Sequence, residues 1–347
     1  MDADDADHSD GQGGRNGRAD RFDVDGQADV ADPIATALDA AFPHRAVTDL
    51  TGTGPSWNEL NETVGVAFAD DERAYCKIAT DGDGTRIRRE RAVVDYVGAN
   101  GDVPVPTVLA SDPDARVPYL ATAPVDGPNL LDEWDGADVT GRAALARRVG
   151  ASLARLHRLR FDVPGHVVGG DADALDLDTA SWTDVLLDWV EWYRGYSPSD
   201  RFDHHFDAVL DAVESNRGLL DDAPAALLHC DTAKPNCFVG DDAVGFLDWE
   251  IALVGDPVWD LHRGRCYLDG VRVTGPEAIV DGFFEGYRET ADGLPAGYDE
   301  RVPVYRPVWL LSWSGFFDNY LQFVEESPEE LAEWVEREMD RRLGAIA

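Results

Sequence analysis

Residues 227–250 read LLHCDTAKPNCFVGDDAVGFLDWE, and this stretch limits the possible folds more than any other in the chain. Its apolar runs are short, of strand length, and are separated by a polar loop and by the turn GDDA. The pattern predicts a hairpin with Asn236 and Asp248 near each other at the strand ends and Asp231 on the loop before it. A carboxylate and an amide oxygen are hard ligands suited to Mg²⁺, which also binds substrate phosphates. A separate aspartate can then accept the proton of an attacking hydroxyl. That division of labour is the one phosphoryl transfer uses. H-x-D-x4-N alone arises by accident in an acidic chain. With strands on both sides and a second aspartate on the next strand, it is specific.

The same stretch holds Lys234, one of only two lysines, the other being Lys77. Strand-like runs at 46–50, 63–68 and 74–79, joined by short loops, suggest an antiparallel meander with Lys77 on its third strand. The helical pattern TRIRRERAVVDYVGAN follows, and Ile87, Glu90, Val94 and Val97 share one face of it. A glutamate on an apolar face is costly unless it meets a cation. Phosphoryl transfer of this kind needs a lysine on the third strand for the nucleotide phosphates and a glutamate on the next helix to hold it. Lys77 and Glu90 fit those places. Lys234 could reach the transferring phosphoryl group or point to solvent.

Between the first two runs lies TGTGPSWNELNE. Gly52, Gly54, Ser56 and Asn58 are candidates to touch phosphates through backbone or side chain, and a plain hairpin loop is the alternative. No Walker A is present, because neither lysine follows a glycine, and GTGPSW lacks the third glycine of the dinucleotide fingerprint.

A chain of 347 residues is long for one core. Residues 1–32 lack apolar periodicity and are expected to be a disordered acidic tail. Residues 33–123 read as a small β-rich lobe with one main helix, including strand-like runs within 103–112 and 117–125. DGPNL then breaks regular structure, and residues 124–347 are mostly helical, with amphipathic patterns at 141–159, 181–196 and 201–220. The expectation is an α+β, bilobal, protein-kinase-like fold.

The chain carries 68 acidic against 30 basic residues, a net charge of −38, of which residues 1–32 hold only −7. Such a surface repels nucleic acid and anionic membrane, so neither is expected as a partner. Low lysine with high aspartate resembles proteins of salt-accumulating halophiles, a reading that weakens any inference from acidic patches to substrate charge. The N-terminus shows no secretory pattern and no apolar run has the length of a membrane span, so a cytoplasmic protein is expected. Cys76, Cys230, Cys237 and Cys266 have no framework spacing. A zinc site from His229, Cys230 and Cys237 with His262 and Cys266 fits no known finger or ribbon, and buried thiols are the default.

Taken together, Lys77, Glu90, VPVPTVL, VDGPNL, VGASLARLH, HCDTAKPN, FLDWE and GDPVWDLHR resemble the aminoglycoside phosphotransferase and choline kinase family from about residue 46 to the C-terminal helices. The resemblance implies ATP as donor, with GTP as the alternative, and Mg²⁺. It implies Asp231 as catalytic base, Asn236 and Asp248 as Mg²⁺ ligands, and Lys77 on the phosphates. Residues 121–125, Ala123 among them, would supply the adenine-binding backbone, while Asp260 and His229 would brace the catalytic loop. Cys230 stands where the family usually has glycine, and TAKP where it often has LHPG. A protein kinase would need D-F-G and a long segment to A-P-E, for which this chain has no room. The expected acceptor is a hydroxyl-bearing small molecule, with no obligate protein partner. The competing reading is an inactive nucleotide-binding scaffold. Trp309, Trp313, Phe316, Phe317 and Tyr320 suit either helix core or a cage for a quaternary amine. Glu250 and Asp318 could hold a polycation.

Overall fold

Alternating side chains build the first sheet. In β2 (Asn61–Phe68), Val64, Val66 and Phe68 are buried, and in β3 (Arg73–Ala79), Ala74, Cys76 and Ile78 are. With β1 (Val47–Gly52), β4 (Val108–Asp112) and β5 (Tyr119–Thr122) they form an antiparallel sheet in the order β1-β2-β3-β5-β4. Helix α1 (Pro33–Ala41) sets Ala37 and Leu38 into the same core as those apolar side chains. Strand period two turns Lys77 away from that core, to the side of α2 (Thr85–Asn100), whose Ile87 meets Ala79 and Leu120. Burying each such aliphatic side chain contributes about 1.5–3 kcal/mol. The expected helix and meander are both present.

The computed structural model describes residues 32–52, 57, 60–270 and 275–346. The predicted tail, apart from Asp32, and Gly54, Ser56 and Asn58 lie outside them.

Beyond β5 the chain becomes helical. Asn129 caps α3 (Leu130–Gly136), Asp138 caps α4 (Val139–Leu156) and Ser181 caps α5 (Trp182–Gly195). The pattern over 201–220 predicts one helix, but the chain makes α6 (Asp203–Ser215) and α7 (Arg217–Asp221), separated at Asn216. Then follow α8 (Pro257–Asp269), α9 (Glu277–Ala291), α10 (Tyr298–Gly315), α11 (Phe317–Leu321) and α12 (Pro328–Leu343). Helices α4 and α9 approach closely because Gly150 and Gly286 face backbone; a methyl group there would collide with the carbonyls of Phe283 and Arg147. Among the described residues no helix is long and apolar enough to cross a membrane.

Two further strand groups carry the polar loops. β10 (Cys237–Val239) and β11 (Val244–Phe246) form the expected hairpin. Unforeseen is a five-stranded sheet in the order β6-β9-β12-β7-β8, built from β6 (Arg160–Phe161), β7 (Gly165–Gly170), β8 (Leu175–Thr179), β9 (Ala225–Leu228) and β12 (Leu253–Gly255). Trp309, Trp313 and Phe317 are buried among the helices, as the core reading of those aromatics has it.

Candidate active site

The loop after β9 is shaped by α8. The Asp260 carboxylate, fully buried, accepts the backbone N–H of His229 at 2.8 Å and of Cys230 at 2.9 Å. Burial opposes its charge, but His157 and the amides outweigh that and hold the carboxyl below its ordinary range. Cys230 has φ +66°, a left-handed conformation that glycine tolerates best, which accounts for the glycine usual at this place in the resembling family. His229 Nδ1 accepts the Asp231 amide at 3.1 Å, so Nε2 carries the proton and donates to the Leu247 carbonyl at 2.9 Å. Burial depresses its basicity, in keeping with a neutral ring.

That last bond ties the loop to the far side of the hairpin. Leu247 N donates to the Asn236 carbonyl at 2.8 Å, bringing the flanks of the hairpin together just before Asp248. Asn236 Nδ2 donates to Asp231 Oδ2 at 2.8 Å and to the Asp231 carbonyl at 3.2 Å. Burial pushes Asp231 up to about 6, against the pull of the nearby Arg263 guanidinium.

Asp248, itself at φ +63°, faces Lys77. Lys77 Nζ lies 2.6 Å from Glu90 Oε2, 2.6 Å from Asp248 Oδ1 and 3.4 Å from Glu250 Oε2. Burial works against the ammonium, yet Asp248, Glu90 and Glu250 outweigh it and raise its pKa well above the usual value. Burial likewise raises Glu90, with Lys77 as the counterweight. Glu250 also accepts from Asn61 Nδ2 and so faces the small lobe. Neighbouring Arg89 donates to the carbonyls of Val167 at 2.7 Å and Glu250 at 2.8 Å, fastening α2 to the large lobe.

The sequence candidates therefore gather in two groups, Lys77 with Glu90 and Asp248, and Asp231 with Asn236. Ala123 follows β5, its N–H taken by the Thr107 carbonyl at 2.9 Å. Lys234 does not simply point to solvent, because Nζ donates to the Tyr267 carbonyl at 2.7 Å and lies over the Trp134 ring. Asn61, Arg89, Glu250, Arg263 and Tyr267 are site residues that sequence reasoning missed or misplaced. Among the described residues the one group with metal-ligand spacing is Glu90, Asp248 and Glu250, and the four cysteines are buried with no disulfide between them.

The model of the phosphotransferase enzyme family matches residues 51–301. The chain belongs to that family. This phosphotransferase is thus an enzyme, with the bilobal, protein-kinase-like architecture of its structural neighbours. A crystal structure of a putative fructosamine-3-kinase from Thermobifida fusca shares 21% identity at a TM-score of 0.58, covering 88% of this chain and 98% of that one. The aminoglycoside phosphotransferase APH(4)-Ia shares 15% at 0.61, over 91% and 99%. A mutant of that enzyme in ternary complex with ADP and hygromycin B shares 14% at 0.60, over 90% and 98%. Likeness at such identities establishes a common fold. No curated protein matches the chain by sequence.

Proposed function

We propose that this phosphotransferase moves the γ-phosphoryl group of ATP to a hydroxyl of a small molecule. The observation that carries the reading is Lys77 Nζ bonded at once to Glu90 of the small lobe and Asp248 beside the hairpin. Residues 33–123 would form the nucleotide lobe and 124–347 the catalytic lobe. The purine would meet the Ala123 carbonyl and the Val125 N–H, since Ala123's own N–H is engaged and residue 124 is proline.

Mg²⁺ fits the donors present. Asn236 is oriented through its nitrogen by Asp231, which turns its amide oxygen elsewhere, and the Asp248 side chain is 35% exposed. These two hard oxygen donors would hold the ion, which neutralises phosphate charge when bound. Lys77 would orient the phosphates, braced by Glu90. Asp231 would orient the acceptor hydroxyl and take its proton as the oxygen bonds to phosphorus and ADP departs. The short span from Asp248 through β12 to α8 leaves no platform for a peptide, which favours a small acceptor. With Trp309, Trp313 and Phe317 in the core and Glu250 turned to Lys77, nothing in those residues argues for a cationic one.

The test is nucleotide consumption with Mg²⁺ and pooled hydroxyl-bearing metabolites. Asp231→Asn should lower turnover about 10²–10⁴-fold and leave the Kd for MgATP unchanged. Wild-type turnover in that variant, or a wild type that binds no nucleotide, would sink the reading.

A further inference from the structure

Arg263, one turn beyond Asp260 on α8, is only 3% exposed, yet among the described residues no carboxylate pairs with it directly. Its Nε donates to the Cys230 carbonyl at 2.5 Å, Nη1 to the Tyr193 hydroxyl at 2.7 Å and Nη2 to the Tyr267 hydroxyl at 2.8 Å. The rings of Trp189, Trp259 and Tyr267 lie 5.1, 5.2 and 5.6 Å from its guanidinium carbon. The Cys230 peptide is thereby gripped at both ends, its N–H by Asp260 and its carbonyl by Arg263, immediately before Asp231. Tyr267 takes part through both of its polar groups, since its hydroxyl accepts from Arg263 and its carbonyl is held from the same loop by Lys234. Burying a guanidinium costs several kcal/mol, so packing alone does not account for a cation here.

We propose that Arg263 and Tyr267 are positioning residues that fix the Asp231 carboxylate, Arg263 through the Cys230 carbonyl and Tyr267 through the hydroxyl that holds the Arg263 guanidinium. This rests on Asp231 being the base. Neither residue meets the substrates. Each would remove freedom from a carboxylate that must meet the acceptor hydroxyl in one orientation.

Tyr267→Phe deletes one oxygen and keeps the ring, so the test uses that variant in the full-length protein, with Arg263→Lys beside it. In Tyr267→Phe kcat should fall about 10- to 100-fold while the Kd for MgATP stays within about twofold, and its crystal structure should show the Asp231 side chain turned from its wild-type orientation. Arg263→Lys should show the same split. An unchanged kcat in Tyr267→Phe would overturn the proposal, as would nucleotide affinity and melting temperature falling together with kcat. If the wild type itself turned over no acceptor, the kinase reading would fall, and the Asp231 orientation in the Tyr267→Phe crystal would still decide the positioning role.

Discussion

The two sides of the candidate site, one at Lys77 and one at Arg263, are electrostatic opposites. On the small-lobe side a single ammonium, Lys77, is ringed by three carboxylates, Glu90, Asp248 and Glu250. On the other side a single guanidinium, Arg263, gives its hydrogen bonds to a carbonyl and two phenol oxygens and lies among aromatic rings, with Asp231 as the acid nearby. The first side carries surplus negative charge, which on the function proposed above a metal-bearing nucleotide would complete. The second is satisfied by neutral partners before any ligand arrives, and so is preorganised. Pairing by charge leaves a side responsive to what binds. Pairing by neutral donors and acceptors fixes it in advance.

Substitutions on each side should separate these behaviours. The largest effect belongs to Lys77→Arg: a planar fork cannot occupy the point among three carboxylates, and kcat/KM should drop about 100-fold, mainly through nucleotide KM. Steady-state kinetics with MgATP checks this, and near-normal kinetics would erase the distinction between the sides. On the Arg263 side, Asp231 holds its proton to about 6 in the fold but to about 4 when unfolded. The folded state binds more protons between those values, so stability is lost as pH rises from about 4 to about 6 and stays lower above. Asp231→Asn should therefore stabilise the protein by about 1–3 kcal/mol at pH 7.5 and by nothing at pH 4, read from denaturant melts at both. The smallest effect concerns the strained residue before it. Cys230→Gly should be more stable than Cys230→Ala by up to about 1 kcal/mol, because alanine keeps the left-handed strain and glycine removes it. The reverse order would mean that the clamp from Asp260 and Arg263 tolerates φ +66° without cost.

What could be read from the sequence depended on contrast. Lys77 stood out because lysine is scarce, Glu90 because it interrupts an apolar stripe, and the Asn236–Asp248 hairpin because short runs flank a polar loop; the fold brings Glu90 to Lys77 and closes the hairpin flanks just before Asp248. Glu250 had no such contrast. In a chain of net charge −38 one more acid carries no signal, and its direction is set by Asn61 and Lys77, about 190 and 170 residues distant in sequence. Arg263 was hidden because arginine is the ordinary cation here and α8 reads as a plain helix; its burial follows from aromatic residues on α5 and α8 that meet only in the folded chain. The β7–β8 strands escaped notice because GHVVGG and LDLDT offer glycine and aspartate where a half-buried strand usually offers branched side chains.

Arg89 has a consequence for control. By holding the carbonyls of Val167 and Glu250, it anchors the helix that carries Glu90 to the opposite lobe. A signal that worked by swinging this helix would first have to break both. The helix and the segment that bears Glu250 are therefore coupled, and neither can shift without straining the other.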